Sequence, residues 1–241
     1  MTERTQMTEL VFRDDAYARE CDAVVVSAAL GRVVLDRSVF YPTGGGQPGD
    51  TGVLVQAGGT VIPVLGTVKG EDDTIVHLVD EAANLPAVGT HVTARIDWDR
   101  RHRIMRFHTA LHLLCAVVAA PVTGGRMSED KAHLDFDIDM DKLVAEDIES
   151  RLNALVSADS AVACGAISDA ELDANPGLVK TMSVQPPRGQ GSVRTIEIPG
   201  VDLQPCGGTH VQQTAEIGAL KVIKIRSEGK RNRRVTIAFA E

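Results

Sequence analysis

The sequence reads RFHTALHLL over residues 106–114 and places His108 and His112 four positions apart. Residues at this spacing lie on the same face of an α-helix, so both imidazoles can reach a single ion. A helical apolar period runs through the surrounding segment and predicts a helix over residues 100–120, which Pro121 ends. A lone histidine on an apolar helix is more often a hydrogen-bonded core residue, so the pair needs further partners to indicate a metal site.

Such partners lie in the stretch PCGGTHV, residues 205–211, which contains Cys206 and His210. The two glycines between them remove side-chain bulk and permit positive φ, so a short loop can bring both side chains around an ion. A mixed set of imidazole and thiolate donors suits zinc better than magnesium, calcium or manganese, which prefer oxygen. The long separation between the two pairs predicts a zinc site assembled across a folded domain and not that of a small zinc finger.

The residues beside these donors exclude two metal-dependent chemistries. Thr109 occupies the position of the glutamate in His-Glu-x-x-His proteases, so the motif contains no general base for peptide hydrolysis. The stretch that follows Pro205-Cys206 lacks the second cysteine of nucleotide deaminases. An ion beside hydroxyls and glycine amides, without a strong base, suits the hydrolysis of an activated ester, which is an easier target than an amide.

The composition is that of a folded protein from a reducing compartment. Of 241 residues, 44% are hydrophobic, and the four cysteines are scattered without a Cys-x-x-Cys motif. The N-terminal stretch is polar, unlike a secretory signal, and the longest apolar stretch, 111–122, is too short to span a bilayer. We therefore expect a cytoplasmic protein with no membrane partner, whose thiols are free or metal-bound.

The net charge is −8, but for the choice of partner its distribution matters more than its sum. Acidic residues crowd between Glu129 and Glu149, whereas basic residues collect over 95–106 and 221–234. Both basic clusters adjoin the segments that carry the metal donors. Contact with a phosphate backbone is therefore a hypothesis, beside the simpler interpretation that these are solvated faces.

The first hundred residues have the pattern of β-strands. Short β-branched runs alternate with Gly, Pro and Asp at fairly even intervals, which favours a small barrel or sandwich. The predicted strands are 24–26, 32–35, 52–55, 61–68, 74–79 and 91–96. The loop FYPTGGGQPGDTG, residues 40–52, can approach a ligand closely through three glycines, although a hairpin turn would also explain them. The pattern changes after Trp98, where we place a domain boundary.

The second half predicts an α+β domain, with helices packed on an antiparallel sheet. Residues 134–140 alternate apolar side chains with Asp135, Asp137 and Asp139, which indicates a strand with one solvated face. Asp141 is placed to cap a helix with an apolar stripe from Leu143 to Val156. The remaining predicted elements are a short helix over 168–175, a strand over 193–198 that leads to the Cys206 loop, and antiparallel strands over 220–226 and 233–239.

Three stretches of the sequence together resemble the editing region of alanyl-tRNA synthetase and its free-standing relatives, the AlaX trans-editing proteins. They are HTALHLL at 108–114, CGGTHV at 206–211 and FYPTGGGQPGDTG at 40–52. The resemblance covers nearly the whole chain and leaves no room for an aminoacylation domain, so the free-standing form with an added N-terminal β domain is the better match. The implied organisation is a small N-terminal β-barrel domain over 1–98, with the glycine-rich loop, and a zinc-binding editing domain over 99–241, similar to the second additional domain of the synthetases.

The resemblance implies a zinc-dependent aminoacyl-tRNA hydrolase that removes serine or glycine from mischarged alanine-specific tRNA. An alanine pocket cannot exclude the smaller glycine and rejects serine only weakly, so a second hydrolytic step is useful. One Zn²⁺ would be held by His108, His112, Cys206 and His210, with Thr109 and Thr209 as catalytic residues beside these ligands. The residues expected to bind the substrate are Gly44, Gly45, Gly46, Arg126, Arg231, Arg233 and Arg234.

Two alternatives stay open. Four protein ligands are typical of a closed structural site, so the chain could be a tRNA-binding module whose zinc is structural. The second alternative is editing of threonine-specific tRNA, because the threonine-specific synthetase has a similar His and Cys-His constellation. The glycine-rich loop and the Cys-Gly-Gly-Thr-His stretch favour the alanine system instead. Related editing domains often carry a glutamine after the first helix, where this chain reads TGGRM over 123–127. The sequence therefore does not identify the residue that senses the serine hydroxyl.

Overall fold

The computed structural model describes residues 7–182 and 191–240. The chain divides into two compact units, with the division between Arg103 and Ile104. This division lies inside a long helix, Trp98–Val118, near the change of sequence pattern. The assignment of domains to 1–98 and 99–241 stays a prediction. Within the described residues, no helix is both long enough and apolar enough to cross a membrane.

The first unit consists mainly of short strands. Its elements are β1 (Glu9–Leu10), α1 (Val11–Asp14), β2 (Glu20–Ala29), β3 (Arg32–Leu35), β4 (Arg37–Ser38), β5 (Gly52–Gln56), β6 (Val61–Val64), β7 (Gly66–Lys69), β8 (Ile75–Leu78) and β9 (His91–Ile96). The predicted β runs all fall on these strands, because β-branched residues favour a pleated, half-buried surface. A fully buried core lies among them, with side chains such as Val33, Leu35, Phe40 and Leu54.

Seven of these strands form one antiparallel sheet in the order β6-β5-β9-β2-β3-β8-β7. The sheet does not close, so the predicted small β-barrel is wrong. Closure would require the two edge strands, β6 and β7, to pair with each other. Both come from the run predicted as one strand over 61–68, which breaks at Leu65, where the backbone amide donates to the Leu78 carbonyl at 2.8 Å. The residues before the break pair with β5 and those after it pair with β8, so the two halves of the run form the two edge strands of the sheet.

A buried ion pair anchors the glycine-rich loop to the first turn of the long helix. Nε of the fully buried Arg101 lies 3.0 Å from each carboxylate oxygen of Asp50. The same guanidinium donates to the Val39 carbonyl at 2.7 Å, and Asp50 accepts the Tyr41 amide at 2.6 Å. Arg101 therefore holds both ends of the loop.

The three predicted substrate glycines form the tip of this loop. Gly44 and Gln47 exchange backbone hydrogen bonds at 3.0 and 2.9 Å. Gly45 and Gly46 between them have positive φ values of 58° and 82°, which residues with a side chain rarely adopt. The tip is thus a tight turn, as the simpler interpretation of the glycines expects.

The second unit is an α+β fold, as predicted for the editing domain. Its elements are the larger part of α2 (Trp98–Val118), β10 (Val122–Met127), β11 (Ala132–Asp137), α3 (Ala145–Ser157), β12 (Ala163–Ser168), α4 (Asp169–Ala174), β13 (Ser192–Ile198), β14 (Asp202–Pro205), β15 (Leu220–Ser227) and β16 (Asn232–Phe239). Two antiparallel sheets form, in the orders β10-β11-β16-β15 and β12-β13-β14. Phe107 of α2 stacks on Phe239 of β16 with ring centroids 4.0 Å apart, which fixes the helix against the first of these sheets.

Two expectations for aspartates in this unit are wrong. Asp135 is 8% exposed rather than solvated, because both its carboxylate oxygens accept from Arg234 of the neighbouring strand, at 2.7 and 2.8 Å. Asp141 does not cap α3; it lies in a separate 3-10 turn, and the residue at the helix N-cap is Val144. By contrast, Ser168 caps the predicted short helix α4 through a capping box with Glu171.

Candidate metal centre

The two predicted pairs of donors converge in the second unit. His108 and His112 project from α2, and Cys206 and His210 lie in the loop that follows β14. One ligand atom from each of the four lies within 4.8 Å of all the others. Sγ of Cys206 is 3.5 Å from Nε2 of His108 and 3.2 Å from Nε2 of His210. The group could hold a metal ion, and the imidazoles are buried while the thiol is half-buried.

Arg194 of β13 fixes the ligand loop. One guanidinium nitrogen donates to the carbonyls of Cys206 and Gly208, at 2.7 and 3.0 Å. The backbone amide of Cys206 donates to the Arg194 carbonyl at 3.1 Å. The sequence does not single out Arg194, because the contact depends on the pairing of β13 with β14, and β14 is not predicted.

A buried carboxylate contacts one of the helix histidines. Oδ2 of Asp202 lies 2.8 Å from Nδ1 of His112 and accepts from Nε2 of Gln204 at 2.7 Å. Oδ1 of Asp202 forms an ion pair with the ammonium of Lys180. Sequence reasoning missed Asp202, which contacts His112, and also Gln204 and Lys180, which contact Asp202. The available signal was the position of Asp202 four residues before Cys206, but polar residues that alternate along a strand usually indicate a solvated face.

Thr109 contacts the other side of the group. Its hydroxyl lies 3.1 Å from the Met105 carbonyl, to which it donates, and 3.2 Å from Nδ1 of His210. The hydroxyl oxygen also accepts the Val211 amide at 3.3 Å. Thr109 and Thr209 are both fully buried. Their predicted catalytic roles stay predictions, and the described contact of the Thr109 hydroxyl with this centre is to the ring of His210.

Burial and the contacts within the group shift the pKa values of Cys206, His210 and His112. Burial alone would raise the pKa of the Cys206 thiol, but His108 and His210 lower this pKa well below its usual value. Burial, together with His108, lowers the pKa of His210 to about 3. Burial also disfavours a charge on His112, yet hydrogen bonds to Asp202 and Cys206 raise its pKa to about 9. A thiolate and a neutral imidazole are the forms that bind metal ions, so His112 would release a proton on binding.

The predicted substrate-binding residues belong to other elements of the fold than the four donors. Gly44 to Gly46 belong to the first unit. Arg126 is exposed on the edge strand β10. The three C-terminal arginines have partners within the fold: Arg231 pairs with Asp137, Arg233 donates to Ser227 and Gly229, and Arg234 pairs with Asp135.

The two ends of the chain match different segments of aminoacyl-tRNA synthetases. Residues 193–236 match the family described as threonyl and alanyl tRNA synthetase second additional domain, and residues 5–100 match the class II (A) tRNA synthetases. The chain is 36% identical to the alanyl-tRNA editing protein AlaX-M of Saccharolobus solfataricus over 233 residues, which cover 95% of this chain and 98% of that protein. The chain belongs to the AlaX-M family. The AlaX-M protein of Methanosarcina barkeri is 37% identical over 244 residues, which cover 98% of this chain and 100% of the relative.

Longer proteins contain the region shared with AlaX-M. The alanine–tRNA ligase of Sulfurisphaera tokodaii is 35% identical over 235 residues, which are 93% of this chain and 25% of the ligase. The predicted resemblance to AlaX proteins and to the alanyl-tRNA synthetases is therefore confirmed.

Proposed function

We propose that the chain is an editing hydrolase, which cleaves the ester that joins serine or glycine to alanine-specific tRNA and holds one zinc ion at His108, His112, Cys206 and His210. The convergence of these four donors from two distant segments carries the proposal. The relatives named alanyl-tRNA editing proteins support the choice of reaction and of tRNA, since the chain aligns with them over nearly its full length.

The chemistry of the donors fits zinc. In a tetrahedral site with ordinary Zn–S and Zn–N bonds, a sulfur and a nitrogen ligand lie about 3.5 Å apart. The separations of Sγ of Cys206 from Nε2 of His108 and of His210, 3.5 and 3.2 Å, agree with this geometry. No carboxylate belongs to the group of four, so the group lacks the oxygen donors that magnesium and calcium prefer. When bound, zinc would supply a Lewis acid that polarises the ester carbonyl.

The chain's own residues would hold the centre rigid for this reaction. Asp202 contacts the ring of His112, Thr109 contacts the ring of His210, and Arg194 donates to the backbone of the loop. Thr209 and Thr109 are the proposed contacts to the aminoacyl group or to water. Among the proposed tRNA contacts, which include Gly44 to Gly46 and the three C-terminal arginines, Arg126 is exposed and forms no ion pair among the described residues.

The reaction is tested by deacylation assays with the full chain. We expect zinc-loaded protein to release serine and glycine from alanine-specific tRNA faster than buffer does, and to release alanine slowly. Cys206→Ala should lose bound zinc and turnover together. Cys21→Ala, which removes a half-buried thiol from β2 of the first unit, is the matched control and should retain both. Serine release no faster than in buffer would overturn the proposal.

A closed set of four protein donors also favours a second function, a tRNA-binding module with structural zinc. This alternative expects saturable tRNA binding without deacylation, and loss of the fold on chelation. The family that matches residues 193–236 covers threonyl as well as alanyl synthetases, so serine-charged threonine-specific tRNA belongs in the same assays. Faster deacylation of that tRNA would assign the chain to the threonine system.

A further inference from the structure

The surroundings of His112 assign a role to each of its ring nitrogens. Nδ1 lies 2.8 Å from Oδ2 of Asp202, so Nε2 is the atom that the ring can offer to the other three donors. The side chains of His112 and Asp202 are 6% and 0% exposed, so bulk water does not compete for this contact. An ionised carboxylate only accepts hydrogen bonds, so in the neutral ring that binds a metal ion the proton sits on Nδ1 and the lone pair on Nε2.

The Asp202 carboxylate is itself held from two sides. The ammonium of Lys180 forms an ion pair with Oδ1, and the side-chain amide of Gln204 donates to Oδ2 at 2.7 Å. Asp202 opens strand β14, and that strand runs directly into Cys206. One short strand therefore sets the position of a thiolate donor and of the carboxylate that contacts an imidazole donor.

We propose that Asp202 is a positioning residue of the metal centre, which fixes the tautomer and ring orientation of His112, while Lys180 and Gln204 fix its carboxylate. The inference rests on the proposed function only in requiring an ion at the four donors. Partners of this kind orient histidine ligands and make them better donors, and their loss typically weakens metal binding roughly 10- to 100-fold. The competing interpretation is that Asp202 merely forms a buried ion pair with Lys180 that stabilises the fold.

Zinc affinity of the full chain, measured by competition with a chromophoric chelator, tests the proposal. Asp202→Ala should bind zinc roughly 10- to 100-fold more weakly than the parent. Asp202→Asn keeps an acceptor oxygen and the side-chain volume but loses the charge. Its zinc affinity should therefore lie between that of the parent and that of Asp202→Ala. Asp137→Ala removes a carboxylate that pairs with Arg231 on the surface of the same unit, and should leave the affinity unchanged.

A double-mutant cycle separates positioning from stabilisation of the fold. If Asp202 acts through His112, then Asp202→Ala should not weaken zinc binding further in a His112→Ala background. A residue that only stabilises the fold would weaken zinc binding equally in both backgrounds, and that result would overturn the proposal. Cobalt in place of zinc adds a spectroscopic readout, because its visible absorption bands report the ligand geometry and should change in Asp202→Ala.

The failure of this proposal and of the proposed function are distinguishable, because metal binding is measured without tRNA. If Asp202→Ala does not fold, Asp202→Asn and Lys180→Met provide the same comparison with smaller perturbations. Folded variants that match the parent in zinc affinity and cobalt spectrum would refute the role of Asp202. A zinc affinity that depends on Asp202 in a chain without deacylation activity would refute the editing reaction alone.

Discussion

Arg194 and Cys206 hold each other in place. The guanidinium of Arg194 donates to the Cys206 carbonyl at 2.7 Å, and the Cys206 amide donates to the Arg194 carbonyl at 3.1 Å. The same guanidinium nitrogen reaches the Gly208 carbonyl at 3.0 Å. A loop with two adjacent glycines has many accessible backbone conformations, so this clamp gives it the one conformation in which Cys206 and His210 face α2.

Removal of the clamp should weaken metal binding without removing a ligand. Hydrogen bonds from a charged donor contribute about 1.5–3 kcal/mol each, so Arg194→Ala should bind zinc roughly tenfold more weakly or worse. Arg194→Lys keeps the charge but loses the forked geometry, and should be intermediate. Chelator competition measures both. Arg151→Ala, which breaks an exposed ion pair on α3, should leave zinc affinity unaffected. Equal affinities for Arg194→Ala and Arg151→Ala would show that the glycine loop needs no clamp.

The buried pair of Asp50 and Arg101 should be essential to the stability of the first unit. Asp50→Ala leaves a fully buried guanidinium without its carboxylate, which typically costs about 3–5 kcal/mol of the free energy of unfolding. Glu20→Ala, which breaks the exposed pair with Arg95, should cost less than about 1 kcal/mol. Urea unfolding is followed by the fluorescence of Trp98, the single tryptophan, which packs against the core of this unit. Similar losses for the two variants would contradict the importance of the buried pair.

The first unit should lose stability in mild acid because of His77. Burial lowers the pKa of His77 to about 4 from 6.5, although its hydrogen bond to the Val33 carbonyl opposes this shift. Between these values the unfolded chain binds a proton that the folded unit does not, so the free energy of unfolding falls as the pH falls from about 6.5 to 4, by roughly 3 kcal/mol in total.

Urea unfolding at pH 7 and pH 5 measures this effect. His77→Gln should show a smaller loss between the two pH values than the parent, because its side chain does not titrate. His91→Gln is the control, since His91 is exposed on β9 of the same unit and should leave the pH dependence unchanged. An undiminished loss of stability in His77→Gln would assign the acid sensitivity to other groups.

The metal donors could be predicted from sequence because each pair is local. Positions four apart on a helix share a face, and two residues in a glycine loop stay close wherever that loop lies. Asp202, Gln204 and Lys180 could not be predicted in the same way. Their contacts bring Asp202 of β14 beside His112 of α2 and beside Lys180, which are distant from it in sequence. The polar alternation in β14 is also the pattern that usually marks a solvated strand.

The topology of the first unit shows that local sequence patterns predict strands but not how the strands are arranged in the sheet. The strands over 32–35, 52–55 and 91–96 follow from β-branched runs, and all are present. Closure of the sheet depends instead on the path of the chain at Leu65. Pro63 and Gly66 beside it indicate a break in the run, but they do not reveal whether the two edge strands then pair with each other. The C-terminal arginines show the same limit, because a basic run does not reveal which cations pair with Asp135 and Asp137 across the sheet.

The decisive measurement is the rate of serine release from seryl alanine-specific tRNA as zinc is added back to metal-free protein. We expect the rate to rise with added zinc and to level off at one zinc per chain, and Cys206→Ala to show no such rise. A full rate in metal-free protein would remove zinc from the reaction. No release at any zinc loading, from folded protein that binds the metal, would contradict the assignment of this centre to editing.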